Sequence, residues 1–260
     1  MLGGAGHRVT LGIKLMGKTI VITGGGSGLG RALARCLAPE GHTLILLGRT
    51  LSKVEAVVRE MGGSSFALAC DVADPQSVDA AFAAIAKRHP QIDVLVNNAG
   101  LFKPFFVKDA TNAQIEAAMG TNLTGPIYCS RAAIPMLGRG GHIINVSSEV
   151  VVIPIAMMAL YQSTKAGLER FSRTLSQELA PDGIRVTIAR AGKMVDADSG
   201  WDDVDPAVMR RFGEENLKIG FDSRKSAISH FDSAAAVIKL LLSLPDDINV
   251  PEIMLEARHK

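Results

Sequence analysis

The sequence predicts an α/β fold, a doubly wound parallel sheet of about seven strands with helices on both faces. Three observations point to it. Short β-branched runs alternate with amphipathic stretches of helical period along most of the 260 residues. Apolar residues make up 47% and aromatics only 5%, which suits a core packed from Ala, Val, Ile and Leu. Polar or glycine-rich turns follow the strands directly, where parallel sheets place their ligands.

Length and charge bound the rest. A chain of 260 residues can bury a sizeable core, and no internal repeat or low-complexity linker divides it. We expect a loose arm over residues 1–15 and one domain over 16–260. A net charge of +2 gives no reason to expect a nucleic-acid partner. Cys36, Cys70 and Cys129 are too scattered for a metal site and read as buried thiols of a reducing, cytoplasmic compartment. No apolar run approaches the roughly 18–20 residues of a membrane span, and residues 1–15 lack a signal peptide's continuous apolar region.

Taken in order, Thr19–Thr23 reads as the first strand. It breaks into Gly24-Gly25-Gly26-Ser27-Gly28-Leu29-Gly30 before a helix with Leu33, Cys36 and Leu37 on one face. A strand, a glycine turn and a helix N-terminus present free N–H groups to a phosphate. The second strand, Thr43–Leu47, ends at Gly48-Arg49. A carboxylate there would bind an adenosine ribose, whereas an arginine accommodates a 2′-phosphate, so the slot favours NADP(H) over NAD(H). Ser52 and Glu55 have capping-box spacing before the next helix. Phe66–Cys70 is a third strand closing at Asp71-Val72, and Asp74-Pro75 starts a helix through His89. Asp93–Val96 runs into Asn97-Asn98-Ala99-Gly100.

Thr111 and Gln114 cap a longer helix holding Asn122, Gly125 and Pro126, residues that disfavour a helix interior. A kink there frees carbonyls that can hold a water. Gly141–Val146 is the fifth strand and ends at Ser147-Ser148. On the next helix Tyr161 and Lys165 are four residues apart and share a face. A nearby ammonium lowers a phenol's pKa from about 10, so the pair can move a proton. Ile184–Ala189 is a sixth strand, Ser233–Leu244 a final helix and Glu252–Glu256 a final strand. The long connection 194–226 reads as a substrate lid.

These residues together resemble the short-chain dehydrogenase/reductase family, in its single-domain branch with a Rossmann-type sheet. Thr23-Gly24-x-x-x-Gly28-x-Gly30 matches the family's cofactor loop, Asp71-Val72 its adenine-contacting pair and Asn97-Asn98-Ala99-Gly100 its central strand-end motif. Asn122, Ser148, Tyr161 and Lys165 match its catalytic tetrad, Ser148 being chosen because it lies 13 residues before Tyr161. The resemblance implies a cofactor held by Gly24, Gly26, Ser27, Gly28, Leu29, Gly30, Arg49, Asp71, Val72, Asn98, Ala99, Gly100, Tyr161, Lys165, Gly192 and Met194. It implies Tyr161 as general acid/base on a carbonyl or alcohol substrate, Ser148 holding the reacting oxygen, and Asn122 placing a water that links Lys165 to solvent. It further implies a homodimer or homotetramer through the helices around Ala113–Met136 and Leu160–Leu179, which are apolar on more than one face.

The chain departs from the family in three places. Ala191-Gly192-Lys193-Met194-Val195-Asp196 lacks the usual proline and puts Asp196 where a threonine is usual; Val250–Glu256 replaces a glycine-rich ending; and Glu149 follows Ser148. The ending resembles the branch of NADP-dependent 3-hydroxy acid and serine dehydrogenases. Glu149 either faces a polar or cationic substrate group or caps a turn. The altered segment supports an alternative, a non-catalytic dinucleotide-sensing or scaffold protein on the same fold. An enzyme using the cofactor for epimerisation is a further alternative.

Overall fold

The computed structural model describes residues 17–195, 204–222, 224–245 and 247–258; the arm 1–15, Asp196 and Trp201 lie outside the described residues. The strands are β1 (Thr19–Thr23), β2 (Thr43–Gly48), β3 (Phe66–Ala69), β4 (Ile92–Asn97), β5 (Leu137–Ser148), β6 (Arg185–Ala191), β7 (Met194–Val195), β8 (Ser229–His230) and β9 (Glu252–Leu255). Seven form one sheet in the order β3-β2-β1-β4-β5-β6-β9, every neighbour parallel, while β7 and β8 pair separately. The order reverses between β1 and β4, which opens a crevice at their carboxyl ends.

The helices are α1 (Gly28–Leu37), α2 (Leu51–Met61), α3 (Pro75–Arg88), α4 (Asn112–Met119), α5 (Gly125–Ala133), α6 (Ala159–Leu179), α7 (Pro206–Lys218) and α8 (Phe231–Leu242). Strand side chains alternate between two cores, as their period of two requires. Ile20, Ile22, Leu44, Leu46, Val94 and Val96 pack with α1, α2 and α8. Val21, Ile45, Leu47 and Leu95 pack with α3, α5 and α6 on the other face. The predicted sheet and its two helical layers are therefore present.

Two helix starts follow their sequence signals and one does not. Asp74 Oδ1 accepts from the Gln76 N–H at 2.9 Å with Pro75 at the first helical position. Thr111 and Gln114 form the reciprocal capping box. The expected box at Ser52 and Glu55 is absent, because α2 begins at Leu51 and Thr50 has the extended backbone of the N-cap. Ser52 is already helical and cannot cap. The expected kink is a π-helical turn, Gly120–Thr124, between α4 and α5. Its glycines are set by contact: a Cβ on Gly120 would lie 2.9 Å from Ala73 Cβ, and one on Gly125 2.9 Å from Val72 Cγ2.

The three cysteines are free; Cys70 and Cys129 are buried as expected, while Cys36 is only partly buried. Burial pushes the Cys70 thiol up to about 11 and raises Cys129 as well. Among the described residues no helix is long and apolar enough to cross a membrane.

The crossing of α1 over the ends of β1 and β4 depends on Gly30. A Cβ there would stand 2.4 Å from the Gly24 carbonyl oxygen and 2.5 Å from Asn98 Nδ2. We expect Gly30→Ala to cost about 1–3 kcal/mol, an overpacking penalty, read as a lower denaturant midpoint in equilibrium unfolding.

Candidate active site

The crevice between β1 and β4 is closed by one clasp. Thr23 Oγ1 accepts from the backbone N–H groups of Asn98 and Ala99, both at 3.0 Å. The Asn98 side chain donates back to the carbonyls of Thr23 at 3.0 Å and Gly24 at 3.3 Å. Asn98 thus shapes the glycine loop rather than reaching outward. Gly24 takes a left-handed φ of 66°, and a Cβ on it would meet Ala99 Cα at 2.9 Å, so only glycine fits.

A cavity of about 510 Å³ opens over this clasp. Of the residues named from sequence it brings together Gly24, Ser27, Leu29, Asn98, Ala99, Gly100, Ser148, Tyr161, Lys165, Gly192 and Met194. Gly26, Gly28, Gly30, Arg49, Asp71, Val72 and Asn122 are not part of its lining. The first three shape the loop backbone. Asp71 Oδ1 accepts from the Ala73 N–H at 3.0 Å and steadies its own turn, while Val72 is buried against the π turn.

The residues present fit the diphosphate of a dinucleotide. Helix α1 starts at the cavity with Ser27 as an extended N-cap that makes no side-chain capping bond, so its first-turn N–H groups are free for an anion. Arg49 is exposed at the end of β2, and no carboxylate stands in that slot. Phe231 closes the side of the loop, its ring 3.6 Å from a Cβ placed on Gly28.

At the far wall the ends of β5 and α6 meet. Tyr161 and Ser148 share the cavity wall, the serine hydroxyl close enough to act on the phenol's titration. Lys165 is buried, and its Nζ donates to the Val146 carbonyl at 2.8 Å. Burial pulls the Lys165 pKa down to about 8. Burial also raises the Tyr161 pKa, and the opposing influence is the Ser148 hydroxyl. The expected lowering of the phenol by Lys165 is not seen, because the ammonium is turned to Val146 and stands 6.0 Å from the ring centroid. Asn122, fully buried in the π turn, accepts from the Leu101 N–H at 2.7 Å and donates to its carbonyl at 2.9 Å. Its Oδ1 and Lys165 Nζ flank Gly100, 3.7 and 3.8 Å from a Cβ placed there.

This arrangement has known counterparts. A family model described as short chain dehydrogenase matches residues 18–202. The chain belongs to the short-chain dehydrogenase family. It is 34% identical over 179 residues to carbonyl reductase family member 4 of Danio rerio, covering 68% of this chain and 76% of that protein. Among solved structures, it is similar to a short chain dehydrogenase from Burkholderia cenocepacia in complex with NADP, with TM-score 0.80 and 29% identity over 93% of this chain and 97% of that one. A 3-ketoacyl-(acyl-carrier-protein) reductase from Brucella melitensis, complexed with NADH, has TM-score 0.77 and 25% identity over 93% and 97%. Its structural neighbours thus include complexes with either nicotinamide dinucleotide.

In this short-chain dehydrogenase an ion network supports the site from behind. Glu169, one turn beyond Lys165 on α6 and 2% exposed, accepts from Ser147 Oγ at 2.8 Å and from Arg190 Nε at 2.8 Å and Nη2 at 2.7 Å. Arg190 reaches Glu252 of β9 at 2.6 Å, and Arg173 reaches both acids at 3.3 and 2.8 Å. An acid inside a mostly apolar helix face was the one available signal. Glu149 is half-buried on the cavity wall, where burial raises its pKa and the backbone N–H of Lys193 opposes that. Its carboxylate oxygen would lie 2.9 Å from a Cβ on Gly192, which explains the glycine. Met157 adopts a left-handed φ of 64°, its carbonyl held by the Phe105 N–H at 2.9 Å. Such a conformation in a methionine marks local strain beside the site.

Burial alone would raise the Glu169 pKa, but Arg190, Ser147 and Arg173 together hold it below the ordinary carboxylate value. A depressed folded-state pKa contributes stability that is complete above the unfolded value near ~4.3 and is lost as pH falls through the folded value. Glu169→Gln should remove that part of the acid dependence and cost about 3 kcal/mol at neutral pH, by leaving Arg190 short of a partner. Urea unfolding at pH 3.5 to 7 (the lower values about one unit below ~4.3) checks both.

Proposed function

We propose that this chain is an NADP(H)-dependent oxidoreductase that interconverts a carbonyl and a secondary alcohol, with Tyr161 as general acid/base. The observation that carries the reading is the gathering of Ser148, Tyr161 and Lys165 on the wall of a cavity whose other end is the uncapped N-terminus of α1. Bound NADP(H) supplies the hydride chemistry. Everything else is done by the chain.

The α1 N–H groups and Gly24–Gly30 would hold the diphosphate, Arg49 the 2′-phosphate, and the Asp71-Val72 turn the adenine. Ala99, Gly100, Gly192 and Met194 would border the ribose and nicotinamide. Burial keeps the Tyr161 phenol protonated at neutral pH, as proton donation requires. In reduction Tyr161 gives that proton to the substrate oxygen, and in oxidation it takes the alcohol proton. Ser148 donates to the same oxygen and fixes it in place. Lys165 carries its charge below about pH 8, grips the nicotinamide ribose and polarises the phenol once turned from Val146. The Asn122 turn places the water that returns a proton through Lys165.

The same reading takes residues 16–260 as one domain with a lid around 194–226, and the protein as a cytoplasmic homo-oligomer. Ile115, Met119, Leu123, Ile127 and Phe171 are half-buried in the single chain and would be covered by a second one.

Tyr161→Phe should lower turnover at least ~10³-fold while NADPH affinity stays within about threefold, because only the proton donor is lost. Turnover like that of the wild type would overturn the assignment, and tight binding with no oxidation of any ketone, 3-oxo acid or quinone would favour the sensor. Arg49→Ala should weaken NADPH by roughly ~10- to 100-fold and leave NADH nearly unchanged, since one charge-assisted contact is worth about 1.5–3 kcal/mol. The kcat/KM for reduction should hold level below about pH 8 and fall above it, as Lys165 loses its proton.

A further inference from the structure

We propose that the substrate is a bulky apolar carbonyl compound without a carboxylate, an aryl or alicyclic ketone or its secondary alcohol, and that Glu149 selects against acids. This rests on the oxidoreductase reading above and deepens it. The lid side of the cavity is walled by Phe102, Ile155, Met158, Met209, Phe212 and Phe221. Most of these belong to a third hydrophobic cluster, separate from the two sheet cores and gathered around Tyr161. The Phe102 ring meets Tyr161 edge-on at 5.5 Å and Phe212 at 6.2 Å, so aromatic edges border the reacting oxygen directly.

Among the described residues the polar side chains here are Ser147, Ser148, Glu149, Tyr161, Lys165, Lys193 and Ser226, against a larger apolar wall. Ser147 donates to Glu169, and Ser148 and Tyr161 serve the reacting oxygen. Ser27 and Asn98 belong to the glycine-loop end. A polyol entering this chamber would bury hydroxyls against methionine and phenylalanine without partners, which is costly. A flat apolar ketone would meet matching surface and soft thioethers that adapt to its shape.

Glu149 decides the charge. It stands next to Ser148 and lines the cavity, with its carboxylate against Gly192. Burial raises its pKa first of all, the Lys193 N–H opposes that, Glu256 adds a second negative charge, and the Lys193 ammonium offsets it only in part. A substrate carboxylate seated beside Ser148 would lie against the Glu149 carboxylate on a partly desolvated wall, where Lys193 is the neighbouring cation and the Lys165 ammonium is turned to the Val146 carbonyl. The same argument sets aside 3-hydroxy acids, the substrates named for the dehydrogenase branch that the C-terminal sequence resembles.

The test compares 1-tetralone, acetoacetate and D-xylose with NADPH and the intact enzyme. The expected kcat/KM for 1-tetralone exceeds that of each of the others by at least ~100-fold, about 2.7 kcal/mol of discrimination. Equal or better use of acetoacetate or D-xylose overturns the proposal. Glu149→Gln keeps an acceptor for the Lys193 N–H, and it should raise the acetoacetate-to-tetralone ratio at least ~10-fold; an unchanged ratio removes Glu149 from specificity. A second readout separates this inference from the oxidoreductase reading. With NADPH-loaded Tyr161→Phe, 1-tetralone but not acetoacetate should raise the melting temperature. If the wild type reduces nothing, that shift still supports the apolar chamber, and stabilisation by acetoacetate alone overturns it.

Discussion

One buried carboxylate holds the working end of this molecule together. Glu169 lies in a region where an unpaired charge would be prohibitive, so it must be surrounded by donors. Ser147 comes from β5, Arg190 from β6 and Arg173 from the same helix, and Arg190 carries the link on to Glu252 in β9. Three adjacent strands are therefore fixed to α6, β5 and β6 near their carboxyl ends and β9 at its first residue. Ser148 follows Ser147 and Tyr161 is two turns before Glu169, so the separation of the two hydroxyls is inherited from this arrangement. Apolar packing alone would hold the layers together without fixing their relative height so closely.

A second polar chain works one layer deeper. Asn97 Nδ2 donates to Asn145 Oδ1 at 2.8 Å and to Ser130 at 3.1 Å, and Asn145 donates to Ser172 at 2.8 Å. Here β4, β5, α5 and α6 are joined through fully buried amides and hydroxyls. With the Thr23–Asn98 clasp, these bonds fix the crevice on both sides of the place where the sheet reverses order. The site is rigid where polar atoms are paired across elements. Its variable part is the lid side, which is held largely by aromatic and thioether contacts.

The fold was legible because it is written in local periodicity. β-branched runs such as Thr19–Thr23, helical stripes such as Leu33 and Leu37, and proline or Asp at helix starts act within a few residues. The glycine loop and the Tyr161–Lys165 face were legible for the same reason. The pairing of Ser148 with Tyr161 came from family likeness in the sequence, and the fold brings both to one cavity wall. What stayed hidden depends on distant partners. Glu169 looked like an ordinary helix acid until Arg190, 21 residues on, reached it. The Lys165 ammonium was expected beside the phenol, and its bond to Val146 depends on how α6 sits against β5. The Ser52 box misled because capping depends on where the strand releases the chain, not on spacing alone. Met157 carries no sequence sign of its left-handed backbone, since its neighbours impose it.

The position of Glu252 ties completion of the site to chain synthesis. It is the last member of the ion network and belongs to β9, the final strand. A nascent chain can form β1 to β6 and their helices while still attached to the ribosome, since domains consolidate from the N-terminal side at synthesis rates of about 5–20 residues per second. Arg190 and Arg173 would then share Glu169 alone, and the edge of β6 would be open until Glu252–Leu255 arrived. The interval is one of exposed strand edge, the state in which parallel sheets are most prone to pair with the wrong chain.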